Sequence, residues 1–276
     1  MGLSSNTLWH QTKKDGLKGI ISKRCLYYAY SQEDLLSIIS NYRAEFAFPM
    51  ISVCDLPLSE TGNYLKKYGD YTIGLSADWG RRNGFSTVWY CDKNSKTLST
   101  ILLMFARMIG DYGFDTSRSK DYQRIIYLLS HVKQYDGPLP KKNFKNYRFY
   151  DEREQRLVPD FDSLNNLGEK QFIINYEEYK ASHKKSPLLP KSLNVPFELN
   201  DIKYIIVERE DEKEEFRELV QKSYGRNEHN ISYLTNREVK EDIIGLAHDI
   251  EEGPRPLTEQ EIDEIINGLG PLINKK

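Results

Sequence analysis

Charges able to do chemistry are concentrated in one stretch, Arg148-Phe149-Tyr150-Asp151-Glu152-Arg153-Glu154-Gln155-Arg156-Leu157-Val158. With Phe149, Tyr150, Leu157 and Val158 at its ends it reads as a strand. The two-residue side-chain period then sends Glu152, Glu154 and Arg156 to one face and Arg153 and Gln155 to the other. Two carboxylates and a guanidinium in one row call for water, a ligand or an ion-pair network to receive them, because burying unpaired charge is costly. A salt-bridged edge strand would carry the same charges with no chemistry at all. Near the start of the chain, His10 is either a polar group at a strand end pointing into a cleft or a half-buried histidine satisfied by backbone.

The elements that must position these groups follow from periodicity. Leu8 to Thr12 is a short apolar and β-branched run, Gly16 to Ile21 gives one or two helical turns, and Leu26 to Tyr30 returns as a strand. Ser31 with Asp34 has the pattern of a helix N-cap opening a helix that carries Leu35, Leu36, Ile38 and Ile39. Phe48 to Asp55 predicts a strand ended by the Leu56-Pro57 turn, Asn63 to Lys67 a helix, and Tyr68 to Leu75 a glycine turn into a strand. Thr87 to Cys91 is a further strand. Leu98 to Ile109 predicts a buried helix whose methionines fill core, residues 111–120 an irregular loop, and 125–132 a strand or a helix. A Lys/Ser/Pro run over 183–192 precedes a buried strand at 201–207 and a helix at 212–222. This is the grammar of an α+β fold with a mostly antiparallel, split sheet and flanking helices. It spans residues 1–235, and an acidic helical C-terminal appendage follows over 236–276.

Composition narrows the classes. Of 276 residues, 39% are hydrophobic and 29% charged, with 19 tyrosines, which is enough for a real core and excludes a wholly disordered chain. A net charge of −2 argues against a protein that coats nucleic acid. That value hides an asymmetry: residues 117–148 hold eight Lys/Arg against two Asp, whereas 236–276 hold ten Asp/Glu against five Lys/Arg. The middle could therefore face an anion, nucleic acid included, and the tail could not. Cys25, Cys54 and Cys91 form no CxxC pair, so neither a disulfide framework nor a zinc site is indicated. No phosphate-loop or dinucleotide-binding glycine pattern occurs, and no metal-ligating cluster. No stretch approaches the ~20 apolar residues that span a bilayer, and a cytoplasmic protein is expected.

Taken in order, several segments resemble the AbiGi family of abortive phage-infection proteins. They are Leu8-Trp9-His10-Gln11-Thr12 with Leu17 and Ile20-Ile21; Pro49 to Ser59; Tyr68 to Leu75; Phe149 to Pro159; and the strand at 201–207. Gln155 departs from the pattern, which implies a tryptophan there. The resemblance implies a phage-defence role, in some members as the antitoxin of a pair whose toxin is nucleotidyltransferase-like, and hence a partner defence protein. The order of elements is also similar to that of ADP-ribosyltransferases. That likeness implies an NAD-consuming transferase, or a glycohydrolase, acting on a macromolecular or nucleotide acceptor. His10 and Thr12 would hold a ribose, Tyr27 or Tyr28 would stack on nicotinamide, and Ser31 would brace the acid. Glu154 would stabilise the positive charge developing at the anomeric carbon, with Glu152 orienting or deprotonating the acceptor. The alternative is a non-enzymatic antitoxin or sensor module. It is distinguished by whether His10, Glu152 and Glu154 converge on one cleft.

Overall fold

The computed structural model describes residues 6–34, 45–61, 69–92, 95–112, 119–139, 144–166, 174–175, 189, 191–225 and 230–241. In chain order, β1 (Thr7–Thr12) leads through α1 (Lys14–Lys23) to β2 (Cys25–Leu26), β3 (Ala29–Asp34), β4 (Glu45–Cys54) and β5 (Tyr71–Ser76). Next come α2 (Ala77–Arg82), β6 (Ser86–Thr87), β7 (Trp89–Cys91), α3 (Lys96–Tyr112) and α4 (Lys120–Leu129). Then follow β8 (Val132–Gln134), β9 (Asp136–Leu139), β10 (Phe144–Arg148), β11 (Glu154–Leu157) and α5 (Phe161–Asn166). The remainder is β12 (Ile174–Asn175), β13 (Val195–Pro196), β14 (Ile202–Val207), α6 (Glu212–Tyr224) and β15 (Ser232–Thr235).

The fold is mixed α+β around a nine-stranded sheet of order β15-β14-β5-β1-β4-β11-β6, with β3 and β12 also pairing β4. All its pairings are antiparallel except β14 with β15. β1 runs beside β5 over its whole length and meets β4 at Trp9 opposite Cys54, which joins the two parts of the sheet. β4 is long because it has two jobs. Its first half pairs with β3, and Ile51 to Cys54 pair with β11.

Apolar residues at helical spacing decide where the helices sit. Leu17, Ile20 and Ile21 form the buried face of α1, and Phe216 and Val220 that of α6. These two helices are joined by charge: Lys14 Nζ lies 2.8 Å from both Glu212 and Glu215. Glu212 also accepts from the Tyr71 hydroxyl at 2.8 Å and from the Arg209 backbone N–H at 3.1 Å. Phe46 and Tyr122 both pack on Phe105 of α3, which brings α3 and α4 against β4.

Three sequence-based expectations are corrected. Ser31 caps no helix: it lies in β3 opposite Phe48, with Glu33 opposite Phe46, because pairing with β4 overrides the local capping pattern. Arg148 to Val158 is not one strand: β10 ends at Arg148. Phe149–Glu152 is a 3-10 turn, Arg153 takes the left-handed region at φ 44°, and β11 begins only at Glu154. The 98–109 helix is one-sided rather than buried, with Leu103 71% and Met104 47% exposed, so Met104 fills no core. The ambiguous 125–132 segment is the end of α4 followed by β8. Residues 236–241 are helical, and Val239 packs with Trp9, Cys54, Leu56 and Ile206. The helices expected over 35–39 and 63–67, the rest of the appendage, and most of the 183–192 run lie outside the described residues.

Gly74 sits where two strands press together. A Cβ there would come within 2.8 Å of both Thr7 Cγ2 and Trp9 Cζ3. Gly74→Ala is expected to cost about 1–3 kcal/mol through overpacking, read as a lower urea midpoint at unchanged m value.

Candidate functional site

The 3-10 turn and the left-handed Arg153 do what a straight strand would have done by alternation. They place Glu152, Glu154 and Arg156 on the same side, all buried. Across β4, Arg156 stands opposite Ser52 and Glu154 opposite Cys54, while Glu33 of β3 rises from the same face near Phe46. Lys133 comes from β8, delivered by the turn after α4.

The geometry is that of a closed ion network. Arg156 grips Glu154 with two nitrogens, Nε to Oε1 at 2.8 Å and Nη2 to Oε2 at 3.2 Å. Its Nη2 also reaches Glu33, and its Nη1 donates to the Ser130 carbonyl at 2.6 Å. Lys133 Nζ bridges Glu152 and Glu154 at 2.9 and 2.7 Å and lies 5.0 Å from the centroid of the Phe149 ring. The Glu154 backbone N–H donates to the Tyr90 hydroxyl at 2.8 Å, and Tyr147 hydrogen-bonds Glu152.

Protonation follows from this crowding. Burial pushes the Glu154 carboxyl up, but Arg156 and Lys133 more than reverse that and hold it well below the usual carboxylate range. Glu33 is held above that range by burial, only partly opposed by the same two cations. Lys133, which burial alone would depress, is raised by Glu154, Glu152 and Glu33. Glu33, Glu152 and Glu154 outnumber Lys133 and Arg156 by one charge, so Glu33 is the carboxyl best placed to take a proton.

The imidazole of His10 does not join this group. Trp9, Cys54 and Glu154 are in register, so alternation turns His10 to the other face of the sheet from Glu154. There its Nδ1 bonds the Ser52 carbonyl at 3.0 Å, and burial lowers its pKa. Thr12 ends β1 opposite Tyr71. Tyr27 donates to the Gly19 carbonyl at 3.5 Å, and burial pushes its hydroxyl to about 12. Tyr28 is buried, and its carbonyl accepts from Leu189. Ser31 shares the face of Glu33, two residues away.

Gln155, alternating away from the network, lines a pocket of about 460 Å³ with Arg153, Tyr90, Tyr135, Tyr150, Asp55 and Asp92. None of His10, Thr12, Tyr27, Tyr28 or Ser31 lines it, nor a smaller pocket of about 170 Å³ near Asn6 and Tyr204. Glu152 and Glu154 line neither of these two pockets. In the basic 117–148 run, Lys133 is turned inward, and Lys120, Arg124 and Arg148 face Asp162, Asp121 and Asp151 at the surface.

The profile of a family described as "Putative abortive phage resistance protein AbiGi, antitoxin" matches residues 24–208. The chain belongs to the AbiGi family. A relative named abortive phage resistance protein AbiGi, from Lactococcus lactis subsp. cremoris, is 26% identical over 185 residues, covering 59% of this chain and 73% of the relative. No solved structure matches the chain. Glu33, Lys133, Glu152, Glu154 and Arg156 all fall inside the segment matching the AbiGi profile, and His10 and Thr12 fall before it. No helix among the described residues is long and apolar enough to cross a membrane.

Sequence reasoning found Glu152, Glu154 and Arg156 but missed Lys133 and Glu33. Buried Val132 next to Lys133 and the alternation of β3 were the available signals. Lys133→Met, which strips an ammonium from two buried carboxylates, is expected to cost about 3–5 kcal/mol. Combining it with Glu154→Gln should cost less than the sum of the two single changes, measured as a double-mutant cycle in urea.

The pH dependence has a definite sign. The folded-state pKa of Glu154 is depressed, so its stabilisation is fully present above the unfolded carboxyl value of about 4.3 and is lost as pH falls through the folded value. For Glu33 the sign is opposite, its contribution fading as pH rises through a raised folded value. Denaturation from pH 2 to 7 should show a shallower acid limb for Glu154→Gln. Carboxyl NMR should show a resonance titrating above the usual range that Glu33→Gln removes.

Proposed function

We propose that this chain is the protective, partner-binding component of an abortive phage-infection system, and that it works without consuming NAD. One observation carries the reading: Glu154, the acid that sugar-transfer chemistry would need most, is bonded through both oxygens by Arg156 and Lys133, and Glu152 is paired with the same lysine. To stabilise an oxocarbenium-like centre, Glu154 would have to turn a free oxygen toward a sugar. Here one of its oxygens meets Arg156, the other meets both Arg156 and Lys133, and His10 projects from the opposite face. Withdrawing Glu154 would leave two buried cations short of a partner. The antitoxin description of the family supports a partner-binding role, and the name of the lactococcal relative supports abortive phage resistance.

The test has two arms. Co-expression with the nucleotidyltransferase-like toxin of such a pair should restore growth, and Glu154→Gln should protect in proportion to the folded protein it leaves. Incubation with NAD labelled in nicotinamide should release no more label than buffer. Label release by the wild type that Glu154→Gln abolishes while remaining folded would replace this reading with the transferase.

A further inference from the structure

The pocket on the outer side of β11 has its own chemistry. Tyr150 and Tyr135 stack, centroids 5.2 Å apart at 24°, and Tyr90 meets Tyr150 edge to face at 5.4 Å and 77°. Aromatic planes at near right angles make a corner lined with the electron-rich faces that attract cations. The rings are held in place by backbone. The Tyr150 N–H donates to the Tyr135 carbonyl at 3.2 Å, its own carbonyl accepts from Arg153, and the Tyr90 hydroxyl is fixed by the Glu154 N–H. Tyr150 is nevertheless 46% exposed. Two carboxylates, Asp55 and Asp92, share the lining with the single guanidinium of Arg153.

We propose that this pocket recognises a guanidinium side chain carried on a basic segment of a protein partner. A guanidinium is planar, stacks on tyrosine and forks onto a carboxylate, so it matches both kinds of lining group at once. A phosphate-bearing ligand would meet two carboxylates for one cation. The volume of about 460 Å³ admits more than one side chain and falls in the range of built ligand sites, roughly 300–1,000 Å³. The proposal rests on the binding reading only in taking the partner to be a protein.

The full chain is titrated, by tyrosine fluorescence and NMR, with an acetylated Gly-Arg-Gly amide, the same peptide with citrulline for arginine, and AMP. The arginine peptide should bind saturably, the citrulline peptide and AMP much more weakly. Tyr150→Ala and Asp92→Asn, with melting curves close to wild type, should each weaken it by about tenfold. Equal binding of the citrulline peptide, preference for AMP, no saturation at millimolar peptide, or indifference to both substitutions would overturn the proposal. Toxin protection is scored separately. Protection unaffected by Tyr150→Ala, with no arginine binding, removes the pocket and keeps the binding reading. Arginine binding without protection does the reverse.

Discussion

The guanidinium of Arg156 is the constraint on which the neighbouring elements depend. It is fully buried, and its partners come from three places: Glu154 two residues before it, Glu33 on β3, and the carbonyl of Ser130 at the end of α4. A buried ion pair contributes little net stability over well-packed apolar groups, because desolvation of both charges offsets their attraction. Its value is in what it forbids. Shifting β11 by one residue against β4 would turn Glu154 and Arg156 outward together and strip Glu33 and Lys133 of their partners on that strand. The network thus selects one register among those that the short β11, with Glu154 opposite Cys54 to Leu157 opposite Ile51, could otherwise adopt.

This explains why the charged row was readable and its backbone was not. Glu152, Glu154 and Arg156 share a side in either description, so the two-residue period found the right residues. It could not see that Arg153 adopts φ 44°, because a non-glycine residue there is uncommon and nothing in its own chemistry announces it. The same competition hid Glu33. Ser31 and Asp34 carry a good local capping pattern, and only pairing with β4, the next strand in the chain, makes the segment a strand. Lys133 was lost because a lone lysine in a basic run is usually solvated, and its partners lie 19 and 21 residues away. By contrast α1, β5, β14 and α6 were plain from apolar spacing alone. α3 was found but over-buried: its apolar residues cover more of its circumference than the core can accept, leaving Leu103 and Met104 outside.

The two sides of β11 divide the labour. On the inner side both oxygens of Glu154 are taken by Arg156 and Lys133, and a ligand would have to break those charge-assisted bonds to reach it. The outer side is open, with Gln155 and Arg153 beside a tyrosine corner. Where a resemblance implies tryptophan at 155, this chain has an amide, which keeps that lining polar.

The inner network also fixes the outer surface mechanically. Tyr90 holds the Glu154 N–H and lines the pocket, and Asp55 donates its N–H to the Arg153 carbonyl at 3.1 Å, so the Tyr90 ring and the Asp55 backbone are tied to the segment that carries the buried charges. A recognition surface built on exposed side chains alone would lose rotamer entropy on binding, about 0.5–1.5 kcal/mol for each side chain immobilised. Anchoring the Tyr90 hydroxyl to a strand whose register cannot slip removes part of that cost in advance. The buried acids then act on recognition without touching the ligand: they hold the backbone from which the pocket is hung.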